Sequence, residues 1–354
     1  HYLKSTGIKN NRFFLVLLDP DLAGINPRDK RLNGFMKQKV LRECMQNYWY
    51  FLREVVRIPE QGGDASGGMQ YKLHRGNLAL NFCLVYNWNT FTELPRQHGK
   101  TIAIVIRMLW EFLYGTTNSA SIFVNKKFDD SKENLQRMKD IRSALPSYLQ
   151  LNEIYSADGK KIKNKDSVET LEHPVNGNKI KTLASARNKV AANSLGRGLT
   201  LPRIWFDEFA FIPYNKIIYL ASTPAYKTAS MNAKRNGAPY GIIITTTPGD
   251  MTTDEGEYAF FMKEAATEFS ELWYDMSPEK INNIINANTS SNFVHIRYTY
   301  QQLGSTEAWF KEIVVEMQKD WSAIRREVLL EWSAASDNSP FKKEDLLIVK
   351  GLIK

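Results

Sequence analysis

The chain has 354 residues, a formal net charge of +9, 43% hydrophobic and 24% charged residues. That length suits two domains or one large domain with a subdomain, and the composition excludes a largely disordered chain. The basic balance favours a polyanionic partner such as nucleic acid, while two cysteines without CxxC spacing, Cys44 and Cys83, exclude a disulfide framework and argue against structural zinc.

At the N-terminus Lys4, Lys9 and Arg12 precede an apolar run, residues 13–18, that stops at Asp19-Pro20. It is far shorter than the roughly 20 residues that cross a bilayer, and no signal peptide is read there. The start at His1 rather than Met leads to the expectation of a fragment. Residues 30–56 carry apolar side chains at helical spacing, among them Met36, Val40, Cys44 and Phe51. A glycine-rich run, residues 61–68, then reads as a loop. It lacks the preceding strand and following Lys-Ser/Thr of a phosphate loop.

Beyond residue 70 the rhythm changes. A helix is predicted over 77–87, a strand over 89–94, a helix over 100–113, a strand over 121–125 and a helix over 129–145. The last has Asp129, Asp130 and Ser131 as cap candidates and Pro146 after it. Turn signals at Asp158-Gly159 and Asn176-Gly177 predict short hairpins in 150–185. Buried strands follow at 203–206 and 241–246, helices at 214–235 and 251–274, and a strand at 294–298. The chain then reads as mostly helical to Trp332, with a polar, then apolar stretch to Lys354. Strands alternating with helices predict an α/β layered, largely parallel sheet.

Three strand ends carry chemistry. Leu94-Pro95-Arg96-Gln97-His98-Gly99-Lys100-Thr101 lies between a strand and a helix, where unpaired backbone N–H groups and the helix dipole favour an anion. Gly99 lets the backbone approach phosphates, Lys100 neutralises β- and γ-phosphate charge, and Thr101 offers a hydroxyl to Mg²⁺. The first glycine of the usual pattern is replaced by Leu94, and the tripeptide alone equally fits a lysine opening an ordinary helix. The apolar strand Arg203-Ile204-Trp205-Phe206 ends in Asp207-Glu208, a metal-holding acid and a general base, if the chain turns there at residues 209–213. A solvated strand end is the bland reading. Thr245-Thr246-Thr247 end a third strand, where hydroxyls beside the acidic strand can sense a γ-phosphate. Alternatively they serve only β propensity.

Together these segments, with Gly196-Arg197-Gly198, resemble the large terminase subunit of tailed bacteriophages, specifically its N-terminal packaging ATPase. That family has a deviant Walker A of the form Arg-Gln-x-Gly-Lys-Thr, a Walker B ending in Asp-Glu, and a Thr-rich coupling motif. The resemblance spans roughly residues 70–250 by motif. It implies a P-loop NTPase fold of the ASCE type, with a mainly parallel central sheet flanked by helices and a small, mostly helical lid. It implies catalytic roles for Glu208, Arg96 and Arg197, the last offered to a neighbouring subunit's γ-phosphate. It implies nucleotide binding by Gln97, His98, Gly99, Lys100, Thr101 and Asn77, metal binding by Thr101 and Asp207, and coupling through Thr245, Thr246 and Thr247. Asn77, in Arg75-Gly76-Asn77, stands where the family reads adenine with a glutamine motif, and is an amide of another length.

The implied organisation is an N-terminal helical segment packing on the lid (1–58), an ATPase core (59–292), a lid (293–345) and a linker (346–354) to a nuclease domain not expected within the chain. ATP and Mg²⁺ are the implied cofactors. Implied partners are double-stranded DNA, the portal protein, the small terminase subunit and further copies in a pentamer, with no membrane. The implied location is the host cell cytoplasm, transiently at the procapsid portal. Lys126, Lys127, Lys160, Lys161, Lys163 and Lys165 are read either as phosphate contacts to DNA or as a solvated charged face. The rivals are another P-loop DNA translocase or two-RecA helicase, for which too few residues follow Thr247, and a nucleotide-gated scaffold, for which Glu208 has little use.

Overall fold

The computed structural model describes residues 2–59, 68–151, 154–155, 158–162 and 165–333. The glycine-rich run over 61–67, Lys163 and the linker lie outside them, as do the side chains of Lys161 and Lys165.

Nine strands form one sheet: β1 Asn89–Glu93, β2 Ala120–Asn125, β3 Lys165–Asp166, β4 Thr170–Glu172, β5 Lys179–Ala184, β6 Arg203–Asp207, β7 Gly241–Thr246, β8 Thr267–Glu268 and β9 Phe293–Arg297. Their spatial order is β8-β9-β1-β7-β6-β2-β5-β4-β3. Pairing is parallel from β8 to β5, and β4 and β3 add antiparallel at one edge. The near-continuous apolar runs of β6 and β7 follow from burial on both sheet faces. β7 sits between the strand that feeds the Lys100 loop and the strand that ends in Asp207, the extra-strand arrangement of the ASCE fold.

The longer helices are α1 Gly34–Gln46, α2 Arg75–Val85, α3 Lys100–Trp110, α4 Phe128–Ser143, α5 Lys189–Arg197, α6 Asn215–Arg235, α7 Asp254–Ala265, α8 Pro278–Ala287, α9 Glu307–Glu316 and α10 Trp321–Glu327. Strand alternation sorts the core into two layers. Phe123, Trp205, Ile243 and Val294 pack with α2, α3 and α4. Phe91, Ile204, Phe206, Ile242 and Ile244 pack with Ile218 and Tyr226 of α6 and Ala259 and Met262 of α7. A third, separate cluster of Tyr300, Ile324 and Val328 gathers Trp309, Phe310 and Ile313 of α9. Among the described residues no helix is long and apolar enough to cross a membrane.

Several expectations shift. The N-terminal segment packs on the core: Leu3 and Ile8 join the first layer, Phe13 meets Phe82 and Tyr274, and the Lys9 and Asn10 amides donate to Asp275. Residues 293–297 form β9 within the sheet rather than opening the lid. The helix read over 30–56 breaks at Asn47, whose extended backbone and side-chain acceptance from the Tyr50 amide start a new turn. The helix read over 251–274 ends at Ala265, because β8 follows and Asn288 ties off the Ala265 carbonyl. Asp129 and Asp130 lie in the first turn of α4, where they complement the dipole, and Ser131 donates to the Leu183 carbonyl instead of capping.

Candidate active site

Three strand ends (β1, β2 and β6) open on one cavity of about 710 Å³. The loop after β1 enters α3 through Gln97 and Gly99, both at positive φ (+65° and +75°). A side chain at Gly99 would be strained by φ alone, and its Cβ would stand 3.3 Å from Asn77 Nδ2. The cavity wall includes Arg96, Gln97, His98, Gly99, Lys100 and Thr101 from this segment.

The first turn of α2 braces the loop from behind. His74 Nδ1 accepts from the Asn77 amide at 3.3 Å, so its Nε2–H donates to the His98 carbonyl at 2.9 Å. Burial holds His74 below its ordinary pKa, in keeping with this neutral form. Asn77 is buried beneath Gly99 and does not line the cavity, and its Oδ1 has no partner among the described residues. Its place is under the loop. Arg75 faces elsewhere, doubly bonded to Glu271 and stacked on Tyr2.

Across the cavity, β6 ends at buried Asp207. Glu208 then takes a left-handed conformation (φ +55°) and starts the turn Phe209–Phe211. This turn is what brings two adjacent acids to one site. Asp207 Oδ1 accepts from Thr245 Oγ1 at 2.7 Å and Oδ2 from Asn134 Nδ2 at 3.0 Å. Thr245 in turn accepts from Trp205 Nε1 at 2.9 Å. Glu208 Oε1 lies 4.0 Å from Lys100 Nζ. Burial first, then the charges of Asp207 and Glu327, raises the Glu208 pKa against the opposing pull of Lys100 and Lys126.

Thr245, Thr246 and Thr247 are buried and do not line the cavity. Thr245 sits in register with Asp207, and Thr246 accepts from the Ala210 amide just past Glu208. The Thr-rich strand end therefore meets the acidic turn. Arg197, exposed at the end of α5, also stands outside the cavity lining.

Other cavity residues escaped sequence reasoning. Asn125 ends β2, Lys126 and Lys127 follow it, and all three line the wall with Asn134 and Arg137 of α4 and Arg326 and Glu327 of α10. Lys126 and Lys127, read from sequence as phosphate contacts to DNA or as a solvated charged face, stand past a parallel strand end on the cavity wall. Lys160 pairs with Asp158 at 3.1 Å. The oxygen donors present (Thr101 hydroxyl, Asp207, Glu208) suit a hard cation such as Mg²⁺. Among the described residues no group of three or more His, Cys, Asp or Glu is placed to hold a metal ion.

A phosphate-loop strand, an intervening strand and an acid-ended strand around one cavity define a P-loop NTPase of the ASCE type. The family model described as "Terminase large subunit, T4likevirus-type, N-terminal" matches residues 92–348, and the chain belongs to this family. Comparison with curated proteins gives no match. Among solved structures, the chain is similar to the large terminase ATPase domain of Thermus phage P74-26, at 16% identity and TM-score 0.46, covering 78% of this chain and 99% of that one. It is similar to the bacteriophage HK97 large terminase at 14% identity and TM-score 0.47, covering 83% and 55%. A large terminase from a thermophilic bacteriophage, in complex with ATP-gamma-S, matches at 12% identity and TM-score 0.44, covering 74% and 53%. The chain thus spans about half the length of the last two.

Proposed function

We propose that this chain is the ATP-hydrolysing motor of a viral large terminase, translocating double-stranded DNA into a procapsid. The observation that carries the reading is the meeting of Lys100 and Glu208 across the cavity, 4.0 Å apart, with Asp207 held by Thr245 and Asn134. ATP enters with its phosphates on the Gln97–Thr101 segment. Lys100 offsets β- and γ-phosphate charge, and Glu208, as carboxylate, accepts the proton of the attacking water for in-line displacement. Mg²⁺, held by Thr101 and through water by Asp207, would neutralise phosphate charge. Arg96 adds cationic charge at the cavity mouth, and Arg197 serves a neighbouring subunit's nucleotide, in keeping with its place away from its own cavity. Loss of phosphate is felt at Asp207 and passed to Thr245–Thr247.

The division we favour is a core that includes residues 2–58 and β9, followed by a lid after Arg297 with its own apolar cluster. The matched region covers 55% and 53% of two of the similar large terminases, and we assign the nuclease to residues outside this chain. We place the motor as a pentamer on the portal protein in the host cytoplasm, fed by the small terminase subunit. The test is steady-state ATP hydrolysis by the wild type against Glu208→Gln. Loss of turnover with ATP binding retained supports the reading, and equal turnover overturns it.

A further inference from the structure

The strand that feeds the phosphate loop ends on a buried acid that this mechanism leaves unused. Glu93, the last residue of β1, is fully buried. Its Oε2 lies 2.7 Å from His295 Nε2 on β9, and its Oε1 accepts from Trp332 Nε1 at 2.8 Å. His295, 1% exposed, places Nδ1 2.6 Å from Glu268 Oε1 on edge strand β8. A neutral imidazole has one N–H, whereas carboxylates on both ring nitrogens call for two. An imidazolium between two carboxylates meets both contacts and offsets the cost of burying charge there.

The cluster joins three parts of the molecule. Glu93 directly precedes the loop 94–99 and pairs in register with Thr246. Trp332 lies on the segment that returns from α10. One residue on, the Ser333 carbonyl accepts from the Met251 amide at 2.8 Å, just beyond the Thr-rich strand end.

We infer that Glu93 and His295 are positioning residues for ATP hydrolysis: with His295 doubly protonated, they pin the lid's exit segment at Trp332 to the strand that sets the phosphate loop. This rests on the ATPase reading above. Neither residue lines the nucleotide cavity. Both act through the loop on one side and Trp332 on the other. Glu93 and Glu268 face the imidazole directly. Lys263 and Glu264 of α7, Arg297 of β9 and Glu331 past the lid line a second cavity of about 460 Å³ at its outer rim. Burial opposes the imidazolium, but the hydrogen bonds and charges of Glu268 and Glu93 outweigh it, and His295 ends above its ordinary pKa. The pin is therefore complete below the ordinary imidazole value and opens as pH rises through the raised one.

The experiment compares wild type, Glu93→Gln and Glu93→Ala between about pH 6 and about pH 9. It reads kcat and KM for ATP, and hydrogen exchange over residues 329–333 corrected for intrinsic rates. The glutamine carbonyl still accepts from Trp332 while its amide donates to neutral His295, so this variant keeps the pin without titrating. Expected is a joint fall of wild-type protection and kcat with rising pH, the latter by roughly tenfold or more, a flat Glu93→Gln profile, and loss at every pH in Glu93→Ala. A Glu93→Gln profile that tracks the wild type, or full turnover and protection in Glu93→Ala, overturns the proposal. Protection that follows the expected pattern in a chain without turnover supports the pin and overturns the ATPase reading alone.

Discussion

Arg96 and Glu327 clasp across the mouth of the cavity: the Arg96 amide donates to the Glu327 carbonyl at 2.9 Å, and the guanidinium lies 3.8 Å from the Glu327 carboxylate. Arg96 is 71% exposed, so the ion pair itself is weak. Its consequence is electrostatic, because Glu327 is one of the charges that raise Glu208. A general base must be ionised, so turnover falls as pH drops through the raised Glu208 value. Glu327→Gln removes a raising charge, and the acidic limb of the pH–rate profile is expected to move to lower pH. A pH series of kcat/KM checks this.

Glu208 is held in a place where its neutral form is favoured. A carboxyl raised in the folded state contributes stability at low pH and loses it as pH rises through the raised value. At neutral pH Glu208→Gln is therefore expected to raise Tm by a few degrees while lowering kcat by roughly 10²–10⁴-fold. Differential scanning calorimetry beside the turnover assay reads both.

Thr245 bridges Trp205 and Asp207 inside the core. Thr245→Val keeps the shape but leaves a buried indole N–H and a carboxylate oxygen each short of a partner. The expected cost is about 1–3 kcal/mol, seen as a lower urea midpoint with unchanged slope, together with reduced turnover as Asp207 loses its orientation.

Gly196 lets α5 sit on α6. A Cβ there would lie 2.5 Å from the Ile218 carbonyl and 2.6 Å from Ala221 Cβ, both on the tightly packed neighbour. Gly196→Ala is expected to destabilise by about 1–3 kcal/mol through overpacking and to shift Arg197 at the helix end. Thermal melts give the first effect.

The sequence made legible what local chemistry encodes. The apolar run of β7, the loop before Lys100 and the acid pair after β6 each declare themselves over a few residues, and their chain order placed them on one sheet rim. Sheet membership of Lys179–Ala184 was hidden, because its alternation with lysines and polar residues reads as a hairpin until β2 is seen beside it in parallel. β8 is too short for any periodicity to show. Asn134, Arg326 and Glu327 carry no motif and reach the cavity only when α4 and α10 fold around it. The Glu93–His295 pair, about two hundred residues apart in the chain, is likewise a product of strand order alone.

The most direct test is steady-state ATP hydrolysis as a function of protein concentration for wild type, Glu208→Gln and Arg197→Ala. A motor that completes its site between subunits predicts turnover per chain that rises steeply with concentration and is abolished by either substitution. Turnover independent of concentration, unchanged in Arg197→Ala and in Glu208→Gln, would contradict it.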